Sequence, residues 1–161
     1  MLIYSPRQDD FETRLLKLHR DVVELVGLLS IDAVLERIPA IALERTSASY
    51  AAIGILDENG KIERFVTAGM PRAHVEQMPH PPQGLGLLRA VMTSEKTIRV
   101  SNLSKDPRHN GFPPFHPGMT SFMGVPVFQG KRLIGIILIT DKVNSPDFSE
   151  EDQRIAEILA R

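Results

Sequence analysis

The chain has 161 residues, the usual size of one domain, and its 42% hydrophobic and 24% charged residues are sufficient for a packed core. Its 19 basic and 20 acidic residues nearly cancel, which excludes the clustered positive charge of a nucleic-acid-binding protein. No apolar run approaches the roughly 20 residues that span a bilayer, and residues 1–10 lack a signal-peptide pattern. We therefore predict a cytoplasmic protein with no nucleic-acid partner and no membrane association.

The first predicted element is a helix over Asp9–Leu29. Apolar residues recur three and four apart along it and form one stripe, which comprises Leu15, Leu18, Val22, Leu25, Val26 and Leu29 and is broadened by Leu16, Val23 and Leu28. Such a helix packs on its own domain, or it packs in addition on a second copy of the chain. We keep both interpretations and predict that residues 1–30 form an N-terminal linker or dimerisation helix, with a homodimer formed through the terminal helices.

A second helix is predicted to begin at Ile31 and to continue to Arg45. Ser30 precedes it as a side-chain cap, and Asp32 in the first turn favours the positive end of the helix dipole. Pro39 lies inside this helix and removes one helical hydrogen bond, so we expect a bend there.

The next elements form a predicted hairpin followed by two helices. Tyr50–Leu56 and Lys61–Thr67 are predicted strands, and the Asn59-Gly60 pair between them is a strong turn signal. Ala73–Met78 is a short helix at best, and a longer helix opens at Gln83 and ends by Ser94. Because no lysine followed by serine or threonine comes after its glycines, this opening is interpreted as a tight entry to a helix rather than as a phosphate-binding loop.

A loop with one histidine follows a short β-type run at Thr97–Val100 and a short predicted helix over Asn102–Arg108. Three prolines surround His116 in the segment Asn110–Gly118. Prolines fix φ and disfavour the helical region for the preceding residue, so the loop is irregular but restricted. A histidine held in this way suits a ligand to a metal or cofactor, and it equally suits a loop residue whose nitrogens bond backbone groups.

The last part of the sequence is predicted to form two strands and a helix. Phe122–Phe128 is followed by a turn and by Leu133–Thr140, which is apolar at both parities, as in a central strand covered on both faces. Ser149 caps a final helix that contains Arg161, so we expect this chain to be part of a longer protein. Helices flanking a hairpin-rich antiparallel sheet make an α+β architecture.

Four segments of this pattern match a known family: Ser30–Leu56, the Gly84-Leu85-Gly86 turn with its helix, the paired strands over Ser121–Thr140, and Phe148–Asp152. In these segments the chain resembles the GAF domain family. The resemblance implies the GAF fold, a central antiparallel β-sheet flanked by helices, over residues 31–161, and a sensory role in a bacterial signal-transduction protein.

The loop around His116 and the strand after it resemble one branch of that family in particular. Gly111–Pro117, Met119, Phe122 and Gly124–Val127 resemble the haem-binding GAF domains of DosS/DosT-type sensor histidine kinases, with flanking matches at Ile98-Arg99 and Thr140–Lys142. In that branch the histidine of the motif is the proximal haem ligand, and it maps onto His116. The resemblance thus implies haem b as cofactor, His116 as its metal ligand, and O₂, CO or NO, or the redox state, as the signal.

The resemblance also implies which residues surround the haem: Phe115, Met119, Phe122, Ile136 and Leu138. That branch carries a tyrosine at the position of Leu138, on the distal side of the haem. Without a hydroxyl there, Leu138 and Ile136 offer no hydrogen bond to bound O₂, so we expect relatively stronger binding of CO or NO. We interpret His74, His80 and His109 as surface residues, with a place at the mouth of a pocket as the alternative.

The competing hypothesis is a GAF domain that binds another small molecule, or none, and acts as a dimerisation and relay module. The cyclic-nucleotide branch is disfavoured, because two of its defining positions differ at Asp141-Lys142 and Asp152-Gln153. Covalent bilin attachment and the free methionine sulfoxide reductase activity of other branches use cysteine, and the sequence contains none. No catalytic residues are identified, so we predict that the chain is not an enzyme.

Overall fold

The computed structural model describes residues 10–27, 30–78, 82–109, 111 and 118–161. Its helices are α1 (Phe11–Val26), α2 (Ile31–Thr46), α3 (Arg72–Gln77), α4 (Gly86–Ser94) and α5 (Glu150–Leu159). Its strands are β1 (Ala48–Leu56), β2 (Ile62–Ala68), β3 (Ile98–Val100), β4 (Phe122–Gln129) and β5 (Arg132–Lys142). A 3-10 turn at Leu103–Lys105 follows β3.

The strands form one five-stranded sheet in the order β2-β1-β5-β4-β3, and the paired strands are antiparallel. Strand β5 lies at the centre, and its register places Leu138 opposite Ala52 of β1 on one side and Gly124 of β4 on the other. An antiparallel sheet flanked by helices is the predicted α+β architecture, which is confirmed.

The two faces of the sheet bury different clusters, because successive side chains of a strand point to opposite sides. Ile137 and Ile139 of β5 belong to the larger core, to which residues of α1, α2 and α5 contribute. Ile136 and Leu138 belong to a second cluster, to which α4 contributes Leu87 and Val91. Both faces of β5 are therefore covered, as its apolar sequence predicted.

Helix α1 has two apolar faces. The predicted stripe packs inward, since Leu15, Leu18, Val22 and Leu25 all contact the larger core. Two of the residues that broaden the stripe point outward instead: Leu16 is 70% exposed and Val23 58%. The placement of Val26 in the inward stripe is wrong, because Val26 lies about one turn after Val23 on the outer face and is 82% exposed. Packing of the other described stripe residues on their own domain is confirmed. Leu28 and Leu29 lie outside the described residues.

Asp152 joins both terminal helices to the end of the central strand. One oxygen of its fully buried carboxylate accepts hydrogen bonds from Arg14 Nη2 of α1 at 2.5 Å and from Lys142 Nζ of β5 at 3.0 Å. The other accepts the backbone N–H of Ser149 at 2.8 Å, within a capping box at the start of α5. Burial raises the pKa of Asp152, but the hydrogen bonds from Ser149, Lys142 and Arg14 outweigh it and hold the pKa below its ordinary value of 3.8.

The predicted helix caps are both present, since Ser30 and Ser149 accept hydrogen bonds from the first turns of α2 and α5. Helix α2 is one helix with Pro39 inside it. The predicted helix over Asn102–Arg108 is wrong in length: only Leu103–Lys105 is helical, as a 3-10 turn. None of the helices formed by the described residues has both the length and the apolarity needed to cross a membrane.

Candidate functional site

A cavity of about 350 Å³ lies on the α4 side of the sheet. This volume is within the range of roughly 300–1,000 Å³ that is typical of small-molecule sites. Residues of β1, β2, β4, β5 and α4 line it together with the segments before α4 and after the 3-10 turn: Tyr50, Ala51, Ala52, Phe65, Thr67, Met70, Met78, Pro82, Gln83, Gly84, Leu85, Gly86, Leu87, Leu88, Leu103, His109, Gly111, Met119, Phe122, Leu138 and Thr140.

A small residue beside Leu138 helps to keep the floor of the cavity open. Ala52 is its partner on β1 and lines the cavity with a methyl group only, whereas Gly124, its partner on β4, is not a lining residue and lies under α4. At Gly124 a larger residue is excluded, because an added Cβ atom would lie 2.7 Å from Cγ2 of Val91 on α4. The close approach of α4 to β4 therefore depends on this glycine.

The segment before α4 forms one wall of the cavity. Gly84 and Gly86 have φ values of +67° and +60°, a left-handed conformation that glycine adopts at little cost. They turn the chain abruptly, so that α4 starts at the cavity and buries Leu87 against the sheet. This geometry agrees with the predicted tight entry to the helix.

Described residues before and after the His116 segment lie at the cavity. Gly111 and Met119 both line it. After the loop, the backbone N–H of Thr120 donates to Oδ1 of Asp141 at 2.6 Å, and the Thr140 hydroxyl donates to Met119 Sδ at 3.3 Å. The exit of the loop is therefore fastened to the last residues of β5.

The entry to the loop is fastened by Asp106 and Leu103. The N–H of Leu103 donates to Thr120 O at 2.8 Å, which ties the two ends of the segment together. Hydrogen bonds from Arg108 lower the pKa of Asp106 to about 2, and the Asp106 carbonyl accepts the N–H of His109 at 3.0 Å. This turn sets the direction in which the chain enters the loop.

The predicted site residues are brought together as far as the structure describes them. Leu138, Met119 and Phe122 line the cavity, and Ile136 is fully buried in the same cluster without belonging to the lining. Phe115 and His116 lie outside the described residues. Whether any of these residues binds a ligand stays a prediction.

Of the three other histidines considered for the cavity, His109 lines it, as in the alternative interpretation of that residue. His74 is not among the lining residues, and His80 lies outside the described part. Two further lining residues, on the hairpin, were not predicted. Tyr50 and Thr67 were read only as strand residues, although their parity on β1 and β2 places them on the cavity face. The period-2 alternation of the hairpin was the signal that could have found them.

The lining is largely apolar. Its described residues include no lysine, arginine, aspartate or glutamate, so any ligand must be recognised by packing and by a few neutral polar groups. Over the described ranges, no three histidine, aspartate or glutamate side chains are grouped so that they could hold a metal ion.

A five-stranded antiparallel sheet with helices on both faces, and a cavity of ligand size beside α4, defines a small α+β domain. The chain belongs to the GAF domain family, because the family model described as "GAF domain" matches residues 29–161. GAF domains are signalling and sensory modules and are generally regulatory. The predicted family and fold are therefore confirmed, whereas the comparisons give no support for the haem-binding branch in particular.

Solved structures agree with this fold. The GAF domain from a phosphoenolpyruvate-protein phosphotransferase of Coxiella burnetii superposes with a TM-score of 0.82 at 21% identity, covering 94% of this chain and 90% of that one. Free methionine-R-sulfoxide reductase from Neisseria meningitidis superposes with a TM-score of 0.74 at 16% identity, covering 99% of this chain and 90% of that one. Because the fold also occurs in a reductase, the fold alone does not exclude catalysis.

Curated relatives match a shorter stretch. The mouse cone cGMP-specific 3′,5′-cyclic phosphodiesterase subunit alpha′ is 24% identical over 76 residues, which are 46% of this chain and 9% of that protein. The bovine rod cGMP-specific 3′,5′-cyclic phosphodiesterase subunit alpha is 29% identical over 79 residues, again 46% of this chain and 9% of that protein. The chain thus corresponds to a small part of these relatives.

Proposed function

We propose that this chain is the sensory GAF domain of a bacterial signalling protein and that it binds haem b through His116. The observation that carries the proposal is the position of the cavity: the residues on either side of the His116 segment, Gly111 and Met119, both line it. In the sequence, His116 thus lies between two residues that line a largely apolar space. The sequence contains no cysteine, so the cysteine-dependent activities of other GAF branches are not part of the proposal.

The described lining suits such a group. Phe122, Leu138 and Met119 present apolar surface for the faces of a macrocycle. Bound haem would supply an iron centre that responds to O₂, CO or NO or to redox state. In this proposal the protein holds the ring, orients the imidazole and limits the access of water. Its location in the cytoplasm stays part of the prediction.

The contacts of β5 support a sensory role. Its cavity residues Leu138 and Thr140 lie only a few positions before Lys142, which bonds Asp152 of α5, and Asp152 in turn bonds Arg14 of α1. A change at the cavity floor thus has a short path to both terminal helices, which in our proposal connect to an output domain.

Purified protein supplied with haem is expected to develop a Soret band that saturates at one haem per chain. The Ala52→Phe variant is expected to lose most of this uptake, because Ala52 lines the floor and a phenyl ring would occupy the space. Circular dichroism and thermal unfolding serve as controls for folding. Absence of saturable uptake by the unaltered protein would sink the haem proposal and leave the family assignment untouched. Normal uptake by Ala52→Phe would mean that haem binds elsewhere.

We also propose that the chain forms a homodimer through the outer face of α1. Leu16, Val23 and Val26 form an exposed apolar stripe, and exposed charges of both signs, Glu12 and Arg20, flank it. Two copies of such a face can bury apolar surface while opposite charges meet at its edges.

The Leu16→Glu/Val23→Glu double variant is expected to be a monomer, because each glutamate places a charge in the proposed seam. Val143→Glu is the matched control, since Val143 is also exposed, at 47%, but lies after β5 rather than on α1. Mass in solution from light scattering is the measurement. A dimer that persists in the double variant, or a monomer before any substitution, would contradict this interface.

A further inference from the structure

A histidine interrupts the apolar outer face of α1. Four exposed residues of this face follow one another at intervals of three, four and three positions: Leu16, His19, Val23 and Val26. These intervals are those of the two core positions of a coiled-coil heptad. The seam of the proposed homodimer therefore has three apolar core positions, with His19 between the first and the second of them.

The heptad spacing favours a second copy of the chain as the group that covers this face. An interface with two-fold symmetry needs a surface that is complementary to itself, and the side chains of two identical heptad stripes fit between one another. In a parallel pair of α1 helices each His19 meets its own copy. In an antiparallel pair centred on the stripe, His19 faces Val23 of the second copy, and the two imidazoles lie about one helical turn apart. Either orientation brings the two histidines close together.

The surroundings of His19 on its own helix offer no counter-charge. The residues one turn before and one turn after it are all apolar: Leu15, Leu16, Val22 and Val23. Glu12, the carboxylate on the same side of α1, lies two turns away, and Arg20 beside the stripe is positive. A charge on His19 in the seam would therefore be poorly compensated by its own helix.

The elements that pack on α1 do so away from His19. Asp21, which bonds Arg45 of α2 at 2.7 Å and has Arg37 within 3.9 Å, lies about 160° from His19 around the helix. Arg14, which pairs with Glu151 and Asp152 of α5, lies about 140° from it. Arg154 of α5 lies over Phe11, more than two turns before His19. The charged residues of α2 and α5 that contact α1 thus leave the charge of His19 to be balanced within the seam.

We propose that His19 makes the α1 seam a pH-dependent interface, which holds two copies together when the imidazoles are neutral and releases them when both are protonated. This inference rests on the proposed homodimer. Two neutral imidazoles can share a hydrogen bond, since each ring has one donor and one acceptor nitrogen. Two protonated rings have donors only and repel each other among apolar neighbours. Histidine ordinarily changes charge between pH 5 and 8, so the release falls in this range.

The dissociation constant of the dimer is measured by analytical ultracentrifugation at about pH 8 and about pH 5.5, on either side of the ordinary histidine transition. At the lower pH it is expected to rise about tenfold, the factor that two like charges about one helical turn apart produce in a partly solvated seam. His19→Gln keeps a polar side chain that does not titrate, and its dissociation constant is expected to be the same at both pH values. His74→Gln is the matched control, since His74 lies on α3, and it should keep the pH dependence.

EDTA in every sample keeps stray metal ions from bridging imidazoles, and circular dichroism at both pH values checks that the domain is folded. Asp152 does not contribute, because its pKa in the folded domain lies below 3.8. A dimer of the unaltered protein that is equally strong at both pH values would overturn the role of His19 and leave the homodimer standing. The same conclusion follows if His19→Gln keeps the pH dependence. If the unaltered protein is a monomer at both pH values, the homodimer fails and the role of His19 fails with it.

Discussion

Alanine in place of His116 is expected to abolish the Soret band of the haem-supplied protein. Loss of a residue that merely orients a metal ligand typically weakens metal binding by about 10–100-fold, and loss of the ligand itself should cost at least as much. The described part of the cavity offers one other imidazole, that of His109, which is tested separately below. We expect the fold to persist, because the cavity lies on the opposite side of the sheet from the larger core.

Histidine substitutions elsewhere make this test specific. His109→Ala is the most stringent comparison, because His109 lines the same cavity, and it is expected to retain the Soret band. His19→Ala on α1 controls for a general effect of removing an imidazole. Free imidazole added to His116→Ala is expected to restore the band, since it can enter the space left by the side chain and bind the iron.

Two results would contradict His116 as the ligand. Ordinary haem affinity in His116→Ala would exclude it, and loss of the band in His109→Ala alone would transfer the ligand role to His109. A measurement of haem stoichiometry for each variant distinguishes a lost ligand from partly unfolded protein, because unfolded chains take up haem without saturation.

Asparagine in place of Asp152 is expected to destabilise the domain by about 3–5 kcal/mol, the usual cost of breaking a buried ion pair by removing one partner. The carboxylate is fully buried and pairs with Arg14 and Lys142, so its loss leaves two partly buried cations without their counter-charge. It also removes one of the two ion pairs between α1 and α5. Urea unfolding followed by circular dichroism measures the change.

The pH dependence of the free energy of unfolding is expected to show the contribution of the Asp152 ion pair. Because the pKa of Asp152 is lower in the folded domain than its ordinary value of 3.8, the unfolded chain binds the proton more readily. The stabilisation is therefore complete above about pH 4 and is lost as the pH falls through the folded-state pKa. The unaltered protein should lose stability in this acid range, and Asp152→Asn should show a flatter dependence there.

Glu151→Gln is the matched control, since it removes the adjacent charge on the same helix turn. Glu151 is half exposed and lies 3.5 Å from Arg14, so its loss should cost less than about 1 kcal/mol. If Asp152→Asn costs no more than Glu151→Gln, or if the acid range is unchanged, the buried ion pair does not stabilise the link between the terminal helices.

Features that depend on neighbouring residues were predictable from the sequence. The apolar spacing in α1 predicted its inward face, and Ser30 and Ser149 predicted the caps of two helices, because caps bond within one turn. The even and odd apolar positions of β5 predicted a strand covered on both sides. The resemblance predicted that Met119, Phe122 and Leu138 lie at one site, and all three line the cavity.

Features that depend on the pairing of distant segments were not predictable. The register that places Tyr50 opposite Thr140 joins residues 90 positions apart, and nothing local to either strand specifies it. The same holds for the ion pair between Arg14 and Asp152, which lie 138 positions apart. The elements and most of the inward face of α1 therefore follow from local pattern, and the family follows from the resemblance, whereas the cavity and the buried ion pair arise only when distant strands and helices meet.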